Sequence, residues 1–154
     1  MILVTPMFRG SSFHTIDAKG RIIIPARFRD LIRDGDRPGV MVSKMDHGLV
    51  AYTLEGWLKI EKKVLSLAEK SENMRRFRRV FIGGAFECIC DKQDRILIPP
   101  TLRDYAGFDS KIVLVGVLDH FEIWSKESWE RENADLEKDL RKEEVRNEIA
   151  KLGL

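Results

Sequence analysis

The chain has 154 residues, 44% of them apolar and 34% charged, with 27 Lys and Arg against 25 Asp and Glu. A net charge of +2 excludes a histone-like polycation and an acidic disordered tail, and the apolar share is enough for a globular core. Two cysteines, Cys88 and Cys90, are too few for a disulfide framework, and no apolar run approaches the ~20 residues of a membrane span. The apolar opening Met1–Met7 lacks the charged and extended apolar regions of a signal peptide, so a cytoplasmic protein is expected.

In chain order, Phe13–Ile16 and Arg21–Ile24 read as the two strands of a hairpin around Ala18-Lys19-Gly20, where Gly20 permits a positive φ. Pro25 suits the first position of a helix running to about Ile32, with Phe28 and Leu31/Ile32 on its apolar side. Asp34–Gly39 is a loop by composition. Val40–Ser43 and Leu49–Thr53 are strands joined through Asp46-His47-Gly48. Trp57, Ile60, Val64 and Leu67/Ala68 then trace one helical face. Ser71–Arg79 predicts a short capped helix with four arginines, anchored by Met74 and Phe77, which lie three apart. A second hairpin, Ala85–Cys90 with Arg95–Ile98, precedes a helix Pro99–Ala106 closed by Gly107. Strands Ile112–Val117 and Phe121–Trp124 follow. Ser125, with Ser128 as the alternative, is the N-cap candidate of a last helix to about Lys151, with Trp129, Asn133, Leu136 and Leu140 along one side.

This order repeats because the sequence repeats. DAKGRIIIPARFRD (17–30) and DKQDRILIPPTLRD (91–104) share Asp, Arg, Ile, Ile, Pro, Arg and Asp at an offset of 74, and Met45-Asp-His47 matches Leu118-Asp-His120 at 73. Each copy is too small to bury a sizeable core alone, so the halves are expected to pack together or interlock. Charge divides unevenly between them. Residues 1–79 hold 16 basic and 9 acidic side chains, a net +7; residues 80–154 hold 11 and 16, a net −5. Such polarity suits a polyanion on one side and head-to-tail self-association between basic and acidic halves.

The repeated core is Asp-x-x-x-Arg at a turn: Asp17/Arg21 and Asp91/Arg95. The carboxylate is placed to cap turn N–H groups or to hold the guanidinium in a bidentate pair, presenting an arginine fork at a protruding tip. Such a fork fits guanine O6/N7 and phosphate, and a two-stranded β-ribbon fits the major groove. A stabilising turn pair with no ligand explains the same spacing, and both readings stand at this point.

GRIIIPARFR with its leading Asp, DKQDRILIPPTLRDYAG, and LVGVLDHFEIWS together resemble the MraZ family of bacterial transcriptional regulators, from Met7 to about Trp129. The resemblance implies an α+β fold of two AbrB-like (SpoVT-AbrB) swapped-hairpin β-barrel units with peripheral helices, intertwined in one chain. The units would span residues 7–79 and 80–154, the second with the long C-terminal helix. It implies ring-shaped homo-oligomers, association with the nucleoid, and binding to short G-rich direct repeats of double-stranded DNA upstream of the division and cell-wall gene cluster. The family's motifs place DNA contacts on Asp17, Lys19, Arg21, Asp91, Lys92 and Arg95. An AbrB-fold protein-interaction or antitoxin-like module, in which DxxxR is structural, is the alternative. Three departures stand out: Asp94 where the family more often has Gly, the leader Met1–Pro6, and the long final helix. Asp94 puts a negative charge beside Arg95, so Arg21 is expected to contribute more to DNA affinity than Arg95.

The remaining chemistry is sparse. Cys88 and Cys90 share a strand face and suit apolar packing better than metal. His47 and His120 sit in matched Asp-His turns, and His14 stands alone. Trp57, Trp124 and Trp129 suit core or subunit-interface anchors. No nucleophile triad, phosphate loop or metal motif is legible, so no enzyme activity, cofactor, small-molecule substrate or membrane partner is expected. The Arg75–Arg79 cluster suits phosphate or the acidic half of a neighbour equally.

Overall fold

The computed structural model describes residues 7–33, 38–67 and 71–154. The expected leader Met1–Pro6, residues 34–37 of the first loop, and Ala68 lie outside the described residues. In chain order the elements are β1 (Ser11–Thr15), β2 (Arg21–Ile23), α1 (Ala26–Ile32), β3 (Gly39–Met45), β4 (Gly48–Thr53), α2 (Leu54–Ser66), α3 (Glu72–Phe81), β5 (Phe86–Ile89), β6 (Arg95–Leu97), α4 (Pro100–Ala106), β7 (Lys111–Gly116), β8 (Phe121–Ser125), α5 (Lys126–Asp139) and α6 (Glu143–Ala150). The fold is α+β, and the second half repeats the order of the first.

Short polar side chains start the helices. Thr53, Ser71 and Ser125 each accept an N–H from the third residue on, satisfying a donor the helix leaves unpaired. Pro25 is the residue before α1 rather than its first residue, whereas α4 carries Pro100 at its start, where a missing N–H costs nothing. Gly107, at φ +65°, ends α4 as expected. Asp46 and His47 both take positive φ in the tight β3–β4 turn.

The two expected hairpins are not ladders. β1 and β2 flank the first turn yet pair with strands of the other half: β1 with β7, and β2 with β6. β5 likewise leaves β6 and pairs with β3. All pairings are antiparallel, giving a six-stranded sheet β1-β7-β8-β4-β3-β5 and a two-stranded ladder β2-β6. The order is pseudo-symmetric: an axis between β8 and β4, and between β2 and β6, exchanges the halves. Neither three-residue strand buries enough surface in a local hairpin to stand alone, and the exchange lets both halves build one core.

β1 meets β2 and β5 meets β6 near their connecting turns, and the sheet and the ladder enclose one core. Ile22 and Ile96 of the ladder, with Ile24 and Ile98 just past its ends, meet Val40, Val42, Leu49, Ala51, Ile112, Leu114, Phe121 and Ile123 of the sheet, all buried. Phe8, Phe28 and Phe121 join them with ring centroids 5.0–5.3 Å apart, contacts worth about 0.5–1.5 kcal/mol per pair beyond burial. The alternate residues of the sheet face outward under helices. Val50 packs with Trp57 of α2 and Phe81 of α3; Val113, Val115 and Trp124 pack with Trp129 of α5. The tryptophans therefore serve the fold's own packing.

Two expectations about helices change. Met74 and Phe77 remain 40% and 37% exposed, and α3 is anchored instead by Phe81, which stacks on Phe77 and whose carbonyl accepts the buried Ser43 hydroxyl. The last helix is broken: α5 ends with Lys138 in its last turn and α6 begins with Glu143 and Glu144 in its first. Acidic residues favour a helix N-terminus, so Glu143 and Glu144 support a new start there, while Glu137 and Asp139 beside Lys138 leave the end of α5 with no favourable net charge. Beyond Trp129 that side is not buried, Leu136 being 51% exposed, so no packing opposes the break.

Candidate nucleic-acid interface

Each DxxxR motif builds the same turn from its own atoms. In the first, Gly20 N–H donates to the Asp17 carbonyl (2.9 Å) and Asp17 N–H to the Arg21 carbonyl (3.1 Å). The carboxylate divides its two oxygens. Oδ1 accepts the backbone N–H groups of Lys19 (3.0 Å) and Arg21 (2.8 Å), and Oδ2 accepts Arg21 Nε–H (2.6 Å). In the second, Asp91 Oδ1 accepts from the Gln93 and Arg95 N–H groups (2.8 and 3.0 Å) and Oδ2 from Arg95 Nε–H (2.8 Å). Of the two expected arrangements the carboxylate takes the turn cap and adds a single Nε contact in place of a bidentate pair, because Oδ1 is already committed to the turn. Among the described residues, neither Nη atom of Arg21 or Arg95 has an acceptor. The Arg21 backbone N–H, then the guanidinium, holds the Asp17 carboxyl below its usual range; Arg95 does the same for Asp91. Both carboxylates stay ionised at neutral pH and keep the forks aimed.

The β2-β6 ladder brings the two motifs together. Arg21 pairs with Leu97, Ile22 with Ile96, and Ile23 with Arg95. Cross-strand partners and residues two apart share a face, so Arg21, Ile23, Arg95 and Leu97 project outward while Ile22 and Ile96 enter the core. Arg21 and Arg95 are diagonal neighbours, about 7–8 Å apart as such pairs are. Lys19 and Lys92 are exposed on the adjoining turns. All six expected residues, Asp17, Lys19, Arg21, Asp91, Lys92 and Arg95, therefore border one surface. They form a ribbon face rather than two separate tips.

Each turn is braced by the opposite half. Ile24 N–H donates to the Asp94 carbonyl (2.9 Å) and Ile98 N–H to the Gly20 carbonyl (2.8 Å). Arg29 Nε donates to the Ile24 carbonyl (2.9 Å) and lies 3.5 Å from Asp94 Oδ2. Asp94 takes φ +60°, which aspartate tolerates better than most residues. Its charge is thus partly met by Arg29, a partner 65 positions away that local spacing does not reveal. Arg103, the counterpart of Arg29, lies where a Cβ on Gly20 would stand, and its Nε is buried with no partner among the described residues.

Other candidates have local roles. Cys88 is buried and its thiol is pushed up to about 12 by burial; Cys90 packs partly against the core. Among the described residues no group of three or more His, Cys, Asp or Glu is arranged to hold a metal. Arg76 pairs with Glu72 along α3 (3.1 Å). His120 lies 2.7 Å from Asp119 and 3.6 Å from Glu122 and stacks on Tyr52 at 4.6 Å. Burial lowers its pKa, but hydrogen bonds to Glu122 and Asp119 outweigh this and the net shift is upward. No helix among the described residues is long and apolar enough to cross a membrane.

A family described as "MraZ protein, putative antitoxin-like" matches residues 7–79 and again 81–148. A protein of Desulforapulum autotrophicum named transcriptional regulator MraZ is 66% identical, covering 96% of this chain and all of the relative. Its namesake from Desulfosudis oleivorans is 56% identical with the same coverage. One from Syntrophobacter fumaroxidans is 43% identical over 81% of this chain and 83% of its own.

Proposed function

This chain belongs to the MraZ family of transcriptional regulators, and from that premise we propose that it binds double-stranded DNA through the outer face of the β2-β6 ribbon. One observation carries the reading: two arginines, each held through Nε by its own carboxylate, present their Nη atoms on one ribbon face. A two-stranded ribbon fits the major groove, and arginine is the best single side chain for guanine O6/N7. Arg21 and Arg95 read bases, Asp17 and Asp91 position them, and Lys19 and Lys92 meet phosphates.

One fork supplies about 1–3 kcal/mol of discrimination, little against a genome of competing sites. We therefore propose that residues 7–79 and 80–154 act as two units in a subunit that closes into a ring, basic half against acidic half. Several ribbons then meet several G-rich direct repeats upstream of the division and cell-wall gene cluster, and affinity rises by effective concentration. The proposed place of action is the cytoplasm, at the nucleoid.

The test is a mobility shift on a fragment from upstream of the protein's own gene, at low salt. The reading expects retardation by the wild type, weaker retardation with Arg21→Ala, and stronger binding to three repeats than to one. No shift at low salt overturns it in favour of an antitoxin-like interaction module. That second reading draws on the family description and on the local satisfaction of each DxxxR turn.

A further inference from the structure

The ribbon carries a feature that arginine chemistry does not use. Ile23 is 51% and Leu97 55% exposed, although their ladder partners are charged and their strand neighbours Ile22, Ile24, Ile96 and Ile98 are fully buried. Alternation fixes which face a strand residue occupies, but it does not ask for a large aliphatic chain on the solvent side. Both positions carry one, and they are equivalent in the two halves. On the outward face the four side chains form a compact quadrilateral: Arg21 opposite Leu97, Ile23 opposite Arg95. Two cations flank two aliphatic tips, with Lys19 and Lys92 on the adjoining turns.

We infer that Ile23 and Leu97 are specificity residues that pack against thymine C5-methyl groups beside the guanines read by Arg21 and Arg95. The inference rests on the DNA-binding reading and goes beyond it by assigning base recognition to apolar side chains. The thymine methyl is the one apolar group on the major-groove edge of the bases, and it tells T from C where an arginine cannot. The charges on this face favour a polyanion over an apolar protein partner. The arginines are tied back by their carboxylates, so the aliphatic tips between them reach the groove floor without displacing either fork. Each half supplies one cation and one aliphatic tip, so each ribbon would prefer a guanine–thymine combination on both sides of its centre.

The probe is a duplex from the region upstream of the protein's own gene, with each thymine of the direct repeats replaced in turn by deoxyuridine, which removes only the methyl group. The readout is the dissociation constant by fluorescence anisotropy. The wild type should bind about fourfold more weakly when a contacted methyl is removed, the value of one buried methyl-sized group. Ile23→Ala or Leu97→Ala should bind the thymine and deoxyuridine duplexes equally at the position each reads. Thermal melts of both alanine variants guard against a folding defect: the two side chains are half exposed, so their Tm should stay close to the wild type. If the wild type binds every deoxyuridine duplex as tightly as the thymine duplex while Arg21→Ala still weakens binding, this inference falls and the DNA-binding reading stands. If the wild type binds neither duplex, both fall. If the alanine variants keep the methyl preference, or change only the oligomeric mass, the aliphatic pair serves contacts between subunits and the inference is overturned.

Discussion

Gly20→Ala probes whether the first arginine turn is held by the opposite half of the chain. Gly20 sits at φ +91°, where an L-residue costs about 1–2 kcal/mol. A Cβ there would stand 2.9 Å from the Ile98 carbonyl and 2.8 Å from Cζ and Nε of Arg103. The guanidinium has some freedom to move, but the carbonyl has little. Ile98 is fully buried, and its N–H is bonded to the Gly20 carbonyl itself. Overpacking of this kind costs about 1–3 kcal/mol. Together the two effects come to about 2–5 kcal/mol, or roughly 5–20 °C in Tm for a chain of this size. Asp94→Gly at the equivalent position is the control. It relieves a φ of +60° and gives up a 3.5 Å contact with Arg29 between part-exposed groups, worth at most about 1 kcal/mol. Its Tm should stay within about 3 °C of the wild type. Thermal melts followed by circular dichroism decide the matter. A Gly20→Ala melt within about 2 °C of the wild type would refute the bracing of this turn by β6 and Arg103.

Other outcomes follow from the same geometry. Arg21→Ala and Arg95→Ala should each weaken binding to the upstream fragment by about 1–3 kcal/mol, the worth of one bidentate base contact. The loss should be larger for Arg21, since Asp94 leaves a residual negative charge near the second turn; a larger loss for Arg95 would contradict this. Lys19→Ala should weaken binding to all sequences alike and lower the slope of log K against log salt by about 1, read from titrations at several salt concentrations. His120 has a folded-state pKa raised above its ordinary value. Its pairing with Asp119 and Glu122 therefore stabilises the fold fully below about pH 6.5, and the contribution is lost as pH rises through the raised value. Urea midpoints for the wild type should fall between pH 5.5 and 8.5 relative to those of His120→Gln; parallel curves would remove His120 from the balance.

Much of this was legible from residues 17–30 and 91–104. Their echo announces two copies, and their Asp-x-x-x-Arg spacing announces a self-capped turn, because both are local chemistry. Strand positions, the Ser125 cap and the Gly107 stop follow from period and capping for the same reason. The strand partners were not legible. Arg21–Ile23 and Arg95–Leu97 are three residues each and 74 apart, and a local hairpin suits their spacing as well as the exchange does. Only the shared core, with Ile22 and Ile96 buried back to back, decides between them. The ribbon face was hidden with it: until β2 meets β6, nothing sets Arg21 beside Arg95 or reveals Ile23 and Leu97 as outward neighbours. The Arg29–Asp94 contact and the Phe81 anchor escaped for a similar reason, since both depend on tertiary neighbours. The break after α5 did carry a signal, the run Arg141-Lys142-Glu143-Glu144, whose two acidic residues suit the first turn of a new helix.

The central claim is that DNA lies on the outer face of the β2-β6 ribbon. Amide hydrogen exchange of the full chain, with and without the upstream DNA fragment, tests it most directly. The account predicts slowed exchange concentrated in residues 17–24 and 91–98, with both halves protected together, and little change in α3. Protection confined to residues 72–81, with the two turns and the ribbon unchanged, would contradict it.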